Sequence, residues 1–134
     1  MRRKTYRPFF TTTIRAGEAS QVDNEYADDM LDMNEFLIRH PEATYYLRVV
    51  GDSMIEHRIY SGDVVVVDRS IEAREGSIAI VNVDGNFTVK EISRVGGNLW
   101  LVPANSDFKA VCIHKDQTCD VWGIVTAVVH KFYK

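Results

Sequence analysis

Ser53 has the residue type and the setting that nucleophilic chemistry requires. It lies in the motif Gly-Asp-Ser-Met, between the apolar runs 45–50 and 64–67, and Gly51 precedes it. Serine and aspartate on such a turn most often bond their own backbone. A turn hydroxyl can also attack a carbonyl carbon, but serine is a poor nucleophile until a base removes its proton. Ser53 therefore has two interpretations, a turn cap and a nucleophile.

Histidine is one candidate for that base. His57 follows Ser53 by four positions, and a triad with Asp52 or Asp63 can be drawn. A triad is defined by three-dimensional geometry, however, and a chain with four histidines offers many such combinations. The segment Ser-Asp-Phe-Lys at 106–109 matches the Ser-x-x-Lys pattern of penicillin-recognising enzymes, but four residues match easily by coincidence.

Lys90 is another candidate base, in the strand-like segment 86–93. Alternate side chains of a strand share a face, so Thr88, Lys90 and Ile92 lie together. If that face is the inner one, burial disfavours the ammonium and lowers the lysine pKa, as a base at neutral pH requires. If the face is exposed, Lys90 is a surface lysine whose stem covers apolar neighbours. The periodicity alone leaves both interpretations open.

The elements that must position these residues are predicted to be mostly β-strands. Strand-like composition occurs in six segments: 45–50, 63–68, 77–83, 87–93, 98–105 and 119–133. Asp84-Gly85, between the third and fourth of these, is typical of a hairpin turn with two positive φ angles. The second segment is apolar at successive positions, which indicates burial on both faces. We expect a mostly β domain, a partly open barrel or sandwich.

The N-terminal region divides by charge at Ala16-Gly17. Residues 1–15 contain five basic and no acidic side chains, whereas residues 18–35 contain seven acidic and no basic ones. The first 30 residues lack an apolar period, so we expect residues 1–30 to form an extended arm. Residues 31–134 would then form the β-rich domain. It would begin with one short helix capped by Asp32 and ended by Pro41.

The composition favours an ordinary soluble protein. The chain has 134 residues, of which 46% are hydrophobic and 26% charged. A net charge of -3 disfavours a dedicated nucleic-acid binder, whose footprint would be basic. No apolar run approaches the ~20 residues that a membrane span needs, and no apolar signal region follows the basic N-terminus. We expect a cytoplasmic protein without a membrane contact.

The two cysteines predict neither a disulfide nor a metal site. Cys112 and Cys119 are expected to be reduced thiols in that compartment. With His114 they form a Cys-x-His-x4-Cys cluster, but a structural zinc site normally has four ligands. We therefore expect no metal and no cofactor.

Over roughly residues 16–132, the chain resembles the UmuD-like branch of the LexA-type self-cleaving proteins. The combination of Gly-Asp-Ser-Met and Thr-Val-Lys, with 37 positions between serine and lysine, is specific. The resemblance also extends over the following segments: DMNEFLIRHPEATYYL (32–47), GDSMIEHRIYSGDVVVVD (51–68), GSIAIVNVDGNFTVKEI (76–92), LVPANSDF (101–108) and DVWGIVTAVVHKF (120–132). Residues 1–15 match no family pattern.

The resemblance implies a fold and a chemistry. The fold would be the LexA-type C-terminal peptidase domain, and the active site a dyad of Ser53 as nucleophile and Lys90 as base. The family cuts its own arm at Ala-Gly or Cys-Gly, and Ala16-Gly17 is the one such pair in this sequence. The backbone amides of Asp52 and Ser53 would stabilise the oxyanion.

The resemblance also implies partners. A RecA filament on single-stranded DNA would stimulate the cut. The shortened homodimer would then act with a Y-family, UmuC-like polymerase subunit in translesion synthesis during the SOS response. No sequence-specific DNA binding is expected.

Three rival functions remain at this stage. A LexA-type or phage repressor would carry a helix-turn-helix of some sixty residues before the cleavage site, and 16 residues precede the cut here. A leader peptidase shares Ser-Lys chemistry but needs a membrane anchor. A regulatory dimer that acts only as a protein-binding module is the third, and turnover of a separate peptide would distinguish it from an enzyme.

Overall fold

The computed structural model describes residues 4–10, 13, 14, 16, 17 and 29–133. The chain divides into two compact units, Met1–Arg39 and His40–Lys134. Most of the acidic segment, residues 18–28, lies outside the described residues.

In the first unit, strand β1 (Tyr6–Phe9) pairs antiparallel with strand β2 (Asp29–Asp32), and helix α1 (Met33–Leu37) follows directly. Asp32 organises this unit, because its two carboxylate oxygens accept hydrogen bonds from different elements. Oδ1 accepts from the amides of Asn34 and Glu35, which caps the helix, and Oδ2 accepts from the amide of Thr5. The predicted helix and its Asp32 cap are confirmed.

The pairing of β1 with β2 is a feature that the sequence did not predict. All four residues of β1 are exposed, so the strand buries no apolar face and leaves no alternating pattern to find. Main-chain bonds form the pair without such a pattern. Strand β1 lies within the predicted arm of residues 1–30, and it pairs with β2 in a two-stranded sheet.

The second unit contains an antiparallel sheet in which the order of the strands differs from their order in the chain. Among the described residues it has seven strands in the order β3-β4-β9-β5-β6-β7-β8, and every neighbouring pair is antiparallel. The strands are β3 (Thr44–Arg48), β4 (Val64–Asp68), β5 (Ile78–Val83), β6 (Asn86–Val95), β7 (Asn98–Val102), β8 (Val111–Cys112) and β9 (Cys119–Val129). Short 3-10 helices cover Pro41–Ala43 and Ile55–His57.

The β5–β6 hairpin has the predicted turn. Val83 is opposite Asn86, and Asp84 and Gly85 have φ angles of 50° and 87°. Two positive φ angles in a two-residue loop match the twist of the flanking strands.

Two apolar clusters cover the sheet. One contains Met54, Ile59, Val65, Val67, Ile80, Val89 and Ala104; the other contains Ala79, Val81, Ile92, Leu101 and Ile124. Adjacent residues of β5 belong to different clusters, so this strand is buried on both faces. Strands β3 and β8 form the two edges of the described sheet, which is therefore not a closed barrel. The predicted mostly β, sandwich-like fold with one short helix is confirmed.

Candidate active site

A short loop after β3 carries Ser53. Gly51 has a φ of 99°, which favours glycine, and its amide donates to Ser61 Oγ at 3.1 Å. Met54, the residue after the serine, is 1% exposed and packs in the first apolar cluster. The loop is therefore anchored in the core immediately beside Ser53, whose own side chain stays half-buried.

The segment after β7 holds this loop through its main chain. The amide of Ala104 donates to the Ser53 carbonyl, and the amide of Glu56 donates to the Ala104 carbonyl, both at 2.7 Å. The buried side chain of Asn105 donates to the Asp52 carbonyl, also at 2.7 Å. The sequence signalled only a strand interrupted at Pro103, and no local pattern could reveal a contact between residues 53 positions apart.

Lys90 of β6 meets this loop. Its Nζ lies 3.1 Å from Ser53 Oγ, 2.7 Å from Thr88 Oγ1 and 3.1 Å from the Val89 carbonyl oxygen. A neutral amine has two N–H donors and one lone pair. If the two donors are used by Thr88 and Val89, on the lysine's own strand, the lone pair is left for the serine hydroxyl. The structure thus brings Ser53 and Lys90 together in an arrangement suited to proton transfer.

Burial lowers the pKa of Lys90 below the ordinary lysine value. The ammonium loses hydration in the half-buried site, so the neutral form is favoured. A neighbouring carboxylate would act in the opposite direction. Among the described residues, the ion pairs involve Lys4 and three histidines but not Lys90.

The alternative base, His57, is placed elsewhere. Its Nε2 lies 2.8 Å from Glu91 Oε1. Asp63, drawn above as a triad member, bonds instead to His130 and to the Tyr60 amide. The described hydrogen bonds therefore do not assemble a Ser-His-Asp triad at Ser53. The amide of Ser106, from the Ser-x-x-Lys match, donates to the Glu56 carboxylate.

The predicted oxyanion donors are the amides of Asp52 and Ser53. Within the part of the chain that the structure describes, neither amide donates a hydrogen bond. Both precede Met54 in the anchored loop, so they are held in place without being consumed by internal pairing. The geometry is compatible with an oxyanion site formed by main-chain N–H groups.

An apolar cleft of about 480 Å³ opens at Ser53. Its walls come from strands β3, β5, β6 and β9 and the loop after β3: Leu47, Arg48, Val49, Val50, Ser53, Ile80, Phe87, Thr88, Val89 and Trp122. Few of these side chains are polar, so the cleft suits an extended peptide with small or apolar side chains.

Trp122 forms a wall of this cleft that the sequence analysis did not identify. Its ring lies 5.3 Å from that of Tyr45 and 6.3 Å from that of Phe87, centroid to centroid. The Arg69 guanidinium lies 4.5 Å from the indole centroid and donates to the Trp122 carbonyl. These contacts join four strands or loops, and no spacing in the sequence indicates them.

The residues of the predicted cleavage bond, Ala16 and Gly17, are both exposed in the first unit. A methyl group built on Gly17 would meet nothing within 4 Å in this arrangement.

Cys112 and Cys119 do not form a metal site with His114 in the part of the chain that the structure describes. Cys112 and Cys119 are free and half-buried. Across the described residues, no three His, Cys, Asp or Glu side chains group closely enough to hold a metal ion. No helix of the described chain is long and apolar enough to cross a membrane.

Comparison with known proteins finds matches over most of the chain. The family model described as Peptidase S24-like matches residues 8–126, so the match begins within residues 1–15, where no family pattern was expected. Protein MucA of Salmonella typhimurium is 42% identical over 120 residues, which cover 89% of this chain and 81% of MucA. Protein SamA of Salmonella typhimurium is 37% identical over 124 residues, 92% of this chain and 85% of SamA. The LexA repressor of Pseudomonas chlororaphis is 34% identical over 93 residues, 69% of this chain and 46% of the repressor.

Proposed function

The chain belongs to the Peptidase S24-like family, as its resemblance to UmuD-like and LexA-type proteins predicts, and on this premise we propose that it cuts its own Ala16–Gly17 bond. Ser53 is the nucleophile and Lys90 the general base. The observation that carries this proposal is the 3.1 Å contact between Lys90 Nζ and Ser53 Oγ, at the edge of an apolar cleft.

The reaction uses groups that this chain supplies. Neutral Lys90 takes the Ser53 proton as Oγ bonds to the Ala16 carbonyl carbon. The amides of Asp52 and Ser53 stabilise the negative oxygen that develops. The C–N bond then breaks, and the Lys90 ammonium returns its proton to the departing Gly17 amine. Water attacks the acyl-enzyme, with Lys90 again as base, and releases the Ala16 carboxylate and free Ser53.

The surrounding contacts favour this assignment of roles. Thr88 Oγ1 and the Val89 carbonyl orient the Lys90 amine, and the segment 104–105 holds the serine loop through three main-chain groups. Catalysis by a dyad requires both partners to be positioned before the substrate arrives. Here each partner has its own support.

We propose the cellular role that the UmuD-like resemblance implies. A RecA filament on single-stranded DNA stimulates the cut in the cytoplasm, and the shortened homodimer joins a Y-family, UmuC-like polymerase subunit in SOS mutagenesis. The similarity to MucA and SamA over about nine-tenths of the chain supports this branch.

A repressor-like regulator that only binds protein is the alternative, and the match to the LexA repressor is its support. This chain spans 46% of that repressor's length. A regulator of this kind could retain the fold without turnover. If a protein of residues 17–134 cleaves a separate peptide that contains Ala16-Gly17, the enzyme is favoured over the binding module.

The direct test is the intact mass of the purified chain after incubation at alkaline pH or with activated RecA filament. We expect two fragments, residues 1–16 and 17–134, and no fragments from Ser53→Ala. A stable cut at another bond, or cleavage by Ser53→Ala, would contradict the proposal.

A further inference from the structure

A second side-chain contact joins the Ser53 loop to the Lys90 strand. His57, at the end of the 3-10 helix that follows Ser53, bonds through Nε2 to Glu91 Oε1, and Glu91 follows Lys90 on β6. We propose that the His57–Glu91 bond is a positioning contact that holds the Ser53 hydroxyl within reach of Lys90. This inference rests on the proposed self-cleavage, and it gives His57 a role other than that of base.

The serine loop is attached to the rest of the second unit on two sides. On one side, the main chain of Ser53 and Glu56 pairs with Ala104, and Met54 enters the core. These contacts set the depth of the loop. Met54 shares its cluster with Val89 of β6, but apolar packing is non-directional and does not fix the side chains of the loop against Lys90.

On the other side, the described hydrogen bonds join the loop to β6 at two points, Ser53 to Lys90 and His57 to Glu91. The first of these is the reacting contact, so it is broken and remade during catalysis. A loop held to β6 by that contact and by apolar packing alone could pivot when the proton moves. The second contact removes this freedom, because it fixes the end of the 3-10 helix to the position next to the lysine.

The partly exposed position of the pair indicates a local function. The side chains of His57 and Glu91 are 38% and 29% exposed, and a polar side-chain pair that water can reach contributes little to global stability. The other two histidine–carboxylate pairs differ. His40 bonds to Asp68 and His130 to Asp63, and these aspartates are 4% and 3% exposed. Those two histidines donate hydrogen bonds to buried carboxylates that water does not reach. The groups of the His57–Glu91 pair could bond to water instead.

The effect on catalysis follows from the sensitivity of proton transfer to geometry. A misplacement of about 1 Å can slow a positioned reaction by about 100-fold. We therefore expect His57→Ala and Glu91→Ala each to slow autocleavage by about 10- to 100-fold. The double variant should be no slower than either single one, since both changes remove the same contact.

Two conservative variants distinguish positioning from a general structural role. His57→Gln retains an N–H donor near the place of Nε2 and should restore cleavage to nearly the wild-type rate. His57→Asn places its N–H near Nδ1, too short to reach Glu91, and should be as slow as His57→Ala. If His57 acted through packing alone, the His57→Gln and His57→Asn variants should cleave at similar rates. Glu91→Gln keeps an acceptor oxygen without the charge and should remain active.

The matched control is His40→Ala, which removes a similar bond to a carboxylate at the other end of β4 from the serine loop. It should lower the thermal unfolding temperature without changing the cleavage rate of the folded protein. Circular dichroism of each variant checks folding, and changes on both partners keep the test available if one variant is unstable.

First-order autocleavage rates of the full chain, measured beside Ser53→Ala, decide the question. Wild-type rates in His57→Ala and Glu91→Ala, or equal rates in His57→Gln and His57→Asn, would overturn the positioning role while Ser53→Ala stays inactive. Cleavage by Ser53→Ala would instead overturn the proposed function, and this inference with it.

Discussion

The Lys90 Nζ atom contacts both the Ser53 hydroxyl, at 3.1 Å, and the Thr88 hydroxyl, at 2.7 Å. Thr88 and Lys90 belong to one strand, so the lysine is oriented by β6 itself. Ser53 comes from a loop 37 positions earlier and is delivered by the contacts with segment 104–105 and with Glu91. The dyad geometry therefore depends on how that loop docks against β6 and segment 104–105.

Loss of either dyad member should abolish autocleavage. Ser53→Ala removes the nucleophile and Lys90→Ala the base, and each should slow the reaction on the order of 10⁴-fold or more. The double variant should be no slower, because residues that act as a unit fail together. Gel densitometry over time measures the rates, with the exposed Lys109→Ala as a control that should cleave normally. Cleavage that survives Lys90→Ala but is lost in His57→Ala would reverse the assignment.

The cleavage rate should rise with pH and then level off. The active form of Lys90 is the neutral amine, which accumulates as the pH rises through the folded-state pKa. Burial lowers that pKa, so the midpoint should lie below the ~10.4 of free lysine. Rates measured across a buffer series at constant ionic strength give the midpoint. A midpoint near the ~6.5 of a reference histidine would instead indicate a histidine base.

Thr88→Val should slow cleavage without unfolding the protein. Valine has a similar shape but cannot accept the N–H of Lys90, so the lone pair is no longer directed at Ser53. We expect a loss of about five- to tenfold, the kinetic equivalent of one hydrogen bond of ~1 kcal/mol. Thr88→Ser keeps the hydroxyl and should stay close to wild type. Equal rates for the serine and valine variants would show that this hydroxyl does not orient the amine.

The buried aspartates of the second unit should make it lose stability in acid. Burial alone would raise the pKa of Asp63, but hydrogen bonds from the Tyr60 amide and His130 outweigh it, and the pKa is lowered. Asp68 behaves in the same way, with bonds from Ser70 and His40. This stability is complete above the ordinary carboxyl pKa of ~3.9 and is lost as pH falls through the lowered folded-state values.

Urea midpoints measured from pH 7 to pH 2 test the point. In Asp63→Asn and Asp68→Asn the acid-dependent loss should be smaller than in wild type, because one protonation step is removed. Each variant should also be less stable at pH 7, where it lacks the charged acceptor. Curves that run parallel to wild type throughout would mean that these carboxylates do not drive the acid transition.

Gly123→Ala should destabilise the sheet. A methyl group at this position of β9 would lie 2.5 Å from Val67 Cγ1, inside the first apolar cluster. Overpacking of a core typically costs about 1–3 kcal/mol of unfolding free energy. In a Val67→Ala background the same change should be much less harmful, since the colliding methyl is gone. Chemical denaturation of the four proteins measures the coupling, and additive effects would exclude the clash.

The sequence alone determined the features that depend on neighbouring residues. The β5–β6 hairpin follows from Asp84-Gly85, and the α1 cap follows from Asp32, because turn chemistry and capping involve only a few adjacent positions. The strands β3 to β7 and β9 follow from composition and length. Strand β8, with two residues, and strand β1, with an exposed surface, carry no such pattern.

The residue pattern also narrowed the chemistry to Ser53 and a short set of bases, and only the resemblance to the UmuD-like proteins selected Lys90 among them. In β6 both Val89 and Ile92 are buried, because apolar clusters cover this strand on two sides. Alternation of apolar and polar residues cannot then distinguish an inner face of the strand from an outer one. For this reason the pattern did not decide whether Lys90 is buried or exposed.

Only the tertiary structure shows which of the candidate bases contacts Ser53. His57 is four positions from the serine and bonds to Glu91, whereas Lys90 is 37 positions away and touches it. The register of β6 against β5, the docking of segment 104–105 and the burial of Met54 together set this distance. These contacts join residues far apart in the chain, and their energies depend on packing that no single stretch of sequence encodes.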